Sequence, residues 1–60
     1  MSDYIGEVNT FSDELIVYVD ERANWVELQI NSVDHYLEVN EAKELIKTLQ
    51  EAVNQLGGSK

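Results

Sequence analysis

His35 is the one side chain in this sequence whose ordinary pKa lies near neutrality, so general acid–base chemistry at pH 7 would have to start from it. No second histidine stands at a metal-ligand spacing, and the chain has no cysteine to serve as thiolate ligand or nucleophile. The acidic pairs Asp13-Glu14 and Asp20-Glu21 could in principle divide acid and base roles. Such chemistry needs a cleft that fixes two carboxyl groups at a set separation. Both pairs fall in polar, turn-forming stretches, where solvated charge is the default reading. There is no glycine-rich phosphate loop and no calcium loop. The residues therefore predict a protein that is not an enzyme and that implies neither a cofactor nor a metal. His35 reads as a partly buried structural histidine near the end of a hairpin.

The chemistry that the sequence does supply is that of recognition. Twelve aspartates and glutamates face four lysines and arginines, giving a net charge of −8. Residues 1–41 hold ten of the acids and a single base, Arg22, whereas residues 42–60 are nearly balanced. A field of this sign repels nucleic acid and anionic membranes and attracts basic surfaces. Solubility alone is the simpler account of the same charge. Aromatic residues lie within the acidic part: Tyr18, Trp25 and Tyr36. Rings that stack on nucleic acid usually come with basic residues, and here acids surround them. Direct nucleic-acid binding is not expected.

The elements that position these side chains follow from periodicity. Ala42, Leu45, Ile46, Leu49, Ala52, Val53 and Leu56 recur at helical spacing, with Asn40 as the expected N-cap and Gly57-Gly58 as the stop. Upstream, the period is two. Glu14 to Val19, Trp25 to Ile30 and His35 to Val39 read as strands, separated by polar turns at 20–24 and 31–34. Tyr4 to Val8, interrupted by Gly6, reads as an additional strand paired with Leu15–Val19 across 9–13. Short connections favour antiparallel hairpins with Trp25–Ile30 in the middle. The expectation is an α+β domain: a three- or four-stranded antiparallel sheet packed against one C-terminal helix, a two-layer β-β-β-α arrangement. It would occupy residues 1–56, with 57–60 as a flexible tail.

The faces then divide. Leu15, Val17, Val19, Val26, Leu28, Ile30, Leu37 and Val39 would point inward, toward a helix stripe in which Leu45, Ile46, Leu49 and Val53 are buried. Ile16, Tyr18, Trp25, Glu27, Gln29, Tyr36 and Glu38 would point outward, and the sequence holds no second helix to cover them. Tryptophan and tyrosine are favoured interface anchors. The candidate partner-binding residues are therefore Tyr18, Trp25, Glu27, Gln29, Tyr36 and Glu38. The alternative is that the rings only shelter one another as cross-strand pairs.

Charge, size and this face together predict a small acidic protein-binding module, an inhibitor or adaptor that occupies the surface of a basic protein. Phage-encoded inhibitors resemble it in size and charge. A nucleic-acid-processing enzyme or complex is one such partner, its phosphate track filled by a protein that mimics nucleic acid. The alternative is a structural homodimer with no inhibitory role; monomer and homodimer both stay open. The start Met1-Ser2-Asp3-Tyr4 lacks the basic and apolar pattern of a signal peptide, and no apolar run approaches membrane-spanning length. A cytoplasmic protein without membrane contact is expected.

Overall fold

The computed structural model describes residues 2–57, which form four strands and one helix: β1 (Asp3–Asn9), β2 (Glu14–Asp20), β3 (Trp25–Ile30), β4 (Val33–Glu38) and α1 (Val39–Gln55). The strands make a four-stranded meander in the order β1-β2-β3-β4, every neighbouring pair antiparallel. The α+β architecture, a sheet followed by a C-terminal helix, is the one the sequence pattern predicts. The fourth strand is β1. Its pairing with β2 shifts register between Tyr4 and Gly6, which leaves Ile5 without an opposite residue. This bulge absorbs the interruption at Gly6 and lets the ladder continue to Asn9.

Turn chemistry sets the register. Asn31 and Ser32 both adopt left-handed backbone, with φ of 49° and 72°, so Ile30 and Val33 close a two-residue hairpin. Positive φ at both central positions matches the right-handed twist of the flanking strands. The turn is thus shorter than the expected 31–34, and β4 begins at Val33. Asn31 also fixes the neighbouring hairpin. Its Oδ1 accepts the Glu14 amide at 2.9 Å, its own amide donates to the Glu14 carbonyl at 3.0 Å, and its Nδ2 donates to the Asp13 carboxylate. Between β2 and β3, Asp20 Oδ1 accepts the Ala23 amide at 3.0 Å, and Asn24 takes a φ of 62°. The Ala23 amide holds the Asp20 carboxyl below its ordinary value.

The helix starts earlier than the Asn40 cap would place it. Glu38 is the N-cap: its amide donates to Glu41 Oε1 at 2.8 Å, and its side chain faces the Glu41 amide in return. This reciprocal box satisfies donors that a helix start leaves free. Val39, expected as the last inward residue of a strand, is instead the first residue of α1. The end agrees with the expectation. Gly57 has a φ of 77°, and its amide donates to the Asn54 carbonyl at 2.9 Å. The rest of the expected tail, residues 58–60, lies outside the described residues.

Packing departs most from expectation. The helix approaches β4 and β3 but neither β1 nor β2. Leu45, Ile46, Leu49 and Val53, expected to be buried, are all exposed, Ile46 at 68% and Leu49 at 57%. Among the described residues, none is fully buried. The sheet is incompletely covered as well: a helix is about 10 Å across and strands are spaced about 4.8 Å, so one helix lying on β3 and β4 leaves β1 and β2 without a helix over them.

Candidate functional site: the uncovered sheet face

Strand register decides which side chains share a face. Tyr18 pairs with Tyr4 on one side and Glu27 on the other, and Glu27 pairs in turn with Tyr36. Tyr4, Tyr18, Glu27 and Tyr36 therefore form one row across all four strands. Trp25 lies between Asp20 and Glu38, and Gln29 between Ile16 and Asp34. All six residues singled out from the sequence, Tyr18, Trp25, Glu27, Gln29, Tyr36 and Glu38, thus stand on one face, opposite the helix. The alternation that turns Val26, Leu28 and Ile30 toward the helix forces this arrangement.

The rings are organised in two pairs. Trp25 and Tyr36 pack with centroids 5.1 Å apart and planes tilted by 49°. Tyr4 and Tyr18 meet edge to face at 6.0 Å. Such pairs add stability beyond the area they bury, and to that extent the rings do shelter one another. They remain accessible all the same: Tyr36 is 52% exposed, and Trp25 keeps more than a third of its surface in solvent. An open depression of about 460 Å³ borders Trp25 and Glu38 at the end of the sheet, where the 21–24 loop meets the helix start.

Carboxylates interleave with these rings. Ser2 Oγ donates to Glu27 Oε1 at 3.0 Å, Tyr4 Oη to Glu7 Oε1 at 3.1 Å, and Gln29 Nε2 to Asp34 Oδ1 at 2.9 Å. The last bond holds Gln29 across the β3–β4 ladder. The negative field registers on the phenols. Glu27 beside Tyr36 pushes that hydroxyl above its ordinary pKa, with desolvation and Asp34 adding to the effect. Desolvation, and then the hydrogen bond and charge of Glu7, raise Tyr4 in the same direction. A second negative charge is costly on this face and a positive one is favoured.

Among the described residues, no cluster of three or more histidine, cysteine or acidic side chains could hold a metal ion. His35 pairs with Leu28 on the helix side of the sheet and is exposed, not partly buried as the sequence suggested. It sits on the edge strand β4, near the hairpin that joins β3 to β4. What the outer face can do is bind: flat aromatic surface flanked by carboxylates suits an arginine or lysine laid over a ring with its charge met at the rim.

Two exposed aromatics escaped the sequence reading. Tyr4 extends the ring row, and its signal was the aromatic that its strand sets opposite Tyr18. Phe11, fully exposed at the tip of the 10–13 loop, carries no periodic signal. That loop is closed by the Thr10 amide on the Asp13 carbonyl and by the Asp13 amide on Thr10 Oγ1, both at 2.8 Å. No helix among the described residues is long and apolar enough to cross a membrane. Set against family models, curated proteins and solved structures, the chain matches none.

Proposed function

We propose that this chain is a protein-binding module whose outer sheet face takes a basic protein surface, acting as an inhibitor or adaptor by occupation. The observation that supports the reading is the co-facial set Tyr18, Trp25, Glu27, Tyr36 and Glu38, left uncovered on a single-helix fold. Aromatic anchors give area at low entropic cost, and interleaved carboxylates give charge selectivity. A nucleic-acid-handling protein is the basic partner of choice, because its phosphate track is already built to accept regularly spaced negative charge.

Affinity capture with the wild-type chain, Trp25→Ala and Glu27→Lys, repeated across salt concentrations, tests this. A partner with a basic surface should be retained by the wild type and lost as salt rises. Trp25→Ala should weaken capture by about 2 kcal/mol or more, as a hot-spot truncation does. Glu27→Lys should weaken it more at low salt than at high salt, since screening removes the difference. Retention by both variants, or affinity indifferent to salt, would refute the reading.

A further inference from the structure

We infer that the helix side of the sheet is a self-association surface, closed by a second copy of this chain in a two-fold dimer. The reading concerns the layer opposite the proposed partner face and stands independently of it. The first observation is area. The chain exposes 4996 Å², whereas a compact monomer of its 6.9 kDa mass exposes about 4000 Å². Its radius of gyration is 12.8 Å, against roughly 10 Å for a compact domain of this length. Two chains that each covered the excess, on the order of 1000 Å², would bury about 2000 Å² together, the scale of a stable homodimer interface.

The second observation is where the apolar surface lies. Leu49 sits at the centre of the helical stripe and is more than half exposed, flanked by Ile46 and Val53. Along the flank of the helix, Val17, Val26, Leu28, Leu37, Ala42 and Leu45 line an open groove of about 300 Å³ whose walls are wholly apolar. Beside it, the β1–β2 half of the same face has no helix over it. The stripe and the bare half-sheet are complementary in kind and both lie on one chain. An isologous contact needs one self-complementary patch, so a second copy can set its stripe over this half-sheet while receiving the same in return.

The third observation is charge. The inward rows of β2, β3 and β4 (Leu15, Val17, Val19; Val26, Leu28, Ile30; Val33, His35, Leu37) contain no carboxylate, and β1 adds Val8 and Gly6 to this face with a single acid, Asp3, at its end opposite Val19. A chain of net charge −8 would resist self-association through its outer face, where Glu27 and Glu38 would meet their copies. Through the inner face it does not bring them together.

Sedimentation equilibrium on the wild-type chain at micromolar concentration, with isotope-filtered NOE spectra on a mixed labelled and unlabelled sample, tests the inference. The expected result is twice the 6.9 kDa chain mass, with intermolecular NOEs from Leu49, Ile46 and Val53. Leu49→Asp should raise the dissociation constant about 100-fold or more by placing an unpaired carboxylate in the contact. Trp25→Ala and Gln50→Asp should leave it unchanged. A single-chain mass would overturn the inference, and so would a dimer whose intermolecular NOEs come from the Trp25 and Tyr36 rings. Because the wild-type measurements need no substitution, a Leu49→Asp chain that fails to fold does not obscure the answer. Loss of heterologous partner binding with the dimer intact would count against the proposed function alone.

Discussion

Truncating Leu49 to alanine separates two energetic pictures of this molecule. Fully burying a leucine side chain is worth about 1.5–3 kcal/mol. In the single chain Leu49 is 57% exposed, so less than half of that is realised, or about 1 kcal/mol. If a second chain covers the stripe, the same truncation removes a buried side chain and leaves a cavity, which costs about 2–5 kcal/mol. The wild-type unfolding midpoint would then also rise with protein concentration, because folding is linked to association. Urea unfolding of wild type and Leu49→Ala at two protein concentrations reads both quantities. The expected result is the larger cost with a concentration-dependent midpoint. A cost of about 1 kcal/mol with midpoints indifferent to concentration would refute the reasoning and leave the helix as a half-covered layer.

Three further outcomes follow from local geometry. Asn31→Ala should destabilise by about 1–2 kcal/mol in chemical denaturation, since it leaves the Glu14 amide without its side-chain acceptor and puts a methyl at positive φ; Ser32→Gly, by relieving left-handed strain, should stabilise by several tenths to about 1 kcal/mol. Glu41→Ala should cost about 1 kcal/mol by opening the box at the helix start, while Asn40→Ala should be nearly neutral; equal effects would place the cap elsewhere. Glu27→Gln should lower the Tyr36 phenol toward its ordinary value, followed by phenolate absorbance, because the neighbouring carboxylate is the main influence that raises it. The sign of the linked stability follows: the folded value lies above the unfolded one, so the wild-type sheet loses stability as pH rises past about 10, and Glu27→Gln should lose less.

The alternation of Trp25 to Ile30 carried most of what the sequence could tell. Once Val26, Leu28 and Ile30 are turned one way, Trp25, Glu27 and Gln29 must face the other, and register brings Tyr18, Tyr36 and Glu38 beside them. Side-chain parity is local, so it is legible without any tertiary information. The helix start was misplaced because Asn40 is a good cap by type, whereas the box that forms uses Glu38 and Glu41, residues that also suit a strand end and a first turn. The Asn31-Ser32 turn is shorter than its residue types suggest because serine at positive φ is uncommon. The burial of Leu49 and Ile46 was wrong for a different reason. Periodicity shows that a helix has an apolar stripe; it does not say where on the sheet the helix docks or how much of the stripe that docking covers.

The two faces of the sheet can serve two contacts because charge separates them. Dimerisation doubles a net charge of −8, which would ordinarily oppose assembly. The carboxylates that matter most, Glu27, Asp34 and Glu38, lie on outer faces that such a dimer turns away from each other. At least one sheet-to-helix layer, about 10 Å, intervenes in each chain, so opposed outer faces stand beyond a Debye length of about 8 Å at physiological salt. Their mutual repulsion is small, while each still attracts a basic surface at close range. A dimer built this way presents two copies of the Trp25–Tyr36 face pointing in opposite directions. It can bridge two basic partners, but it cannot place both faces on one flat surface. Partner capture by the assembled dimer should therefore show a stoichiometry of one partner per chain with no gain from avidity, because geometry forbids simultaneous engagement of a single surface. Isothermal titration against the captured partner measures that ratio. One partner per two chains would mean that the outer faces converge, and the two-fold arrangement through the helix side would be wrong.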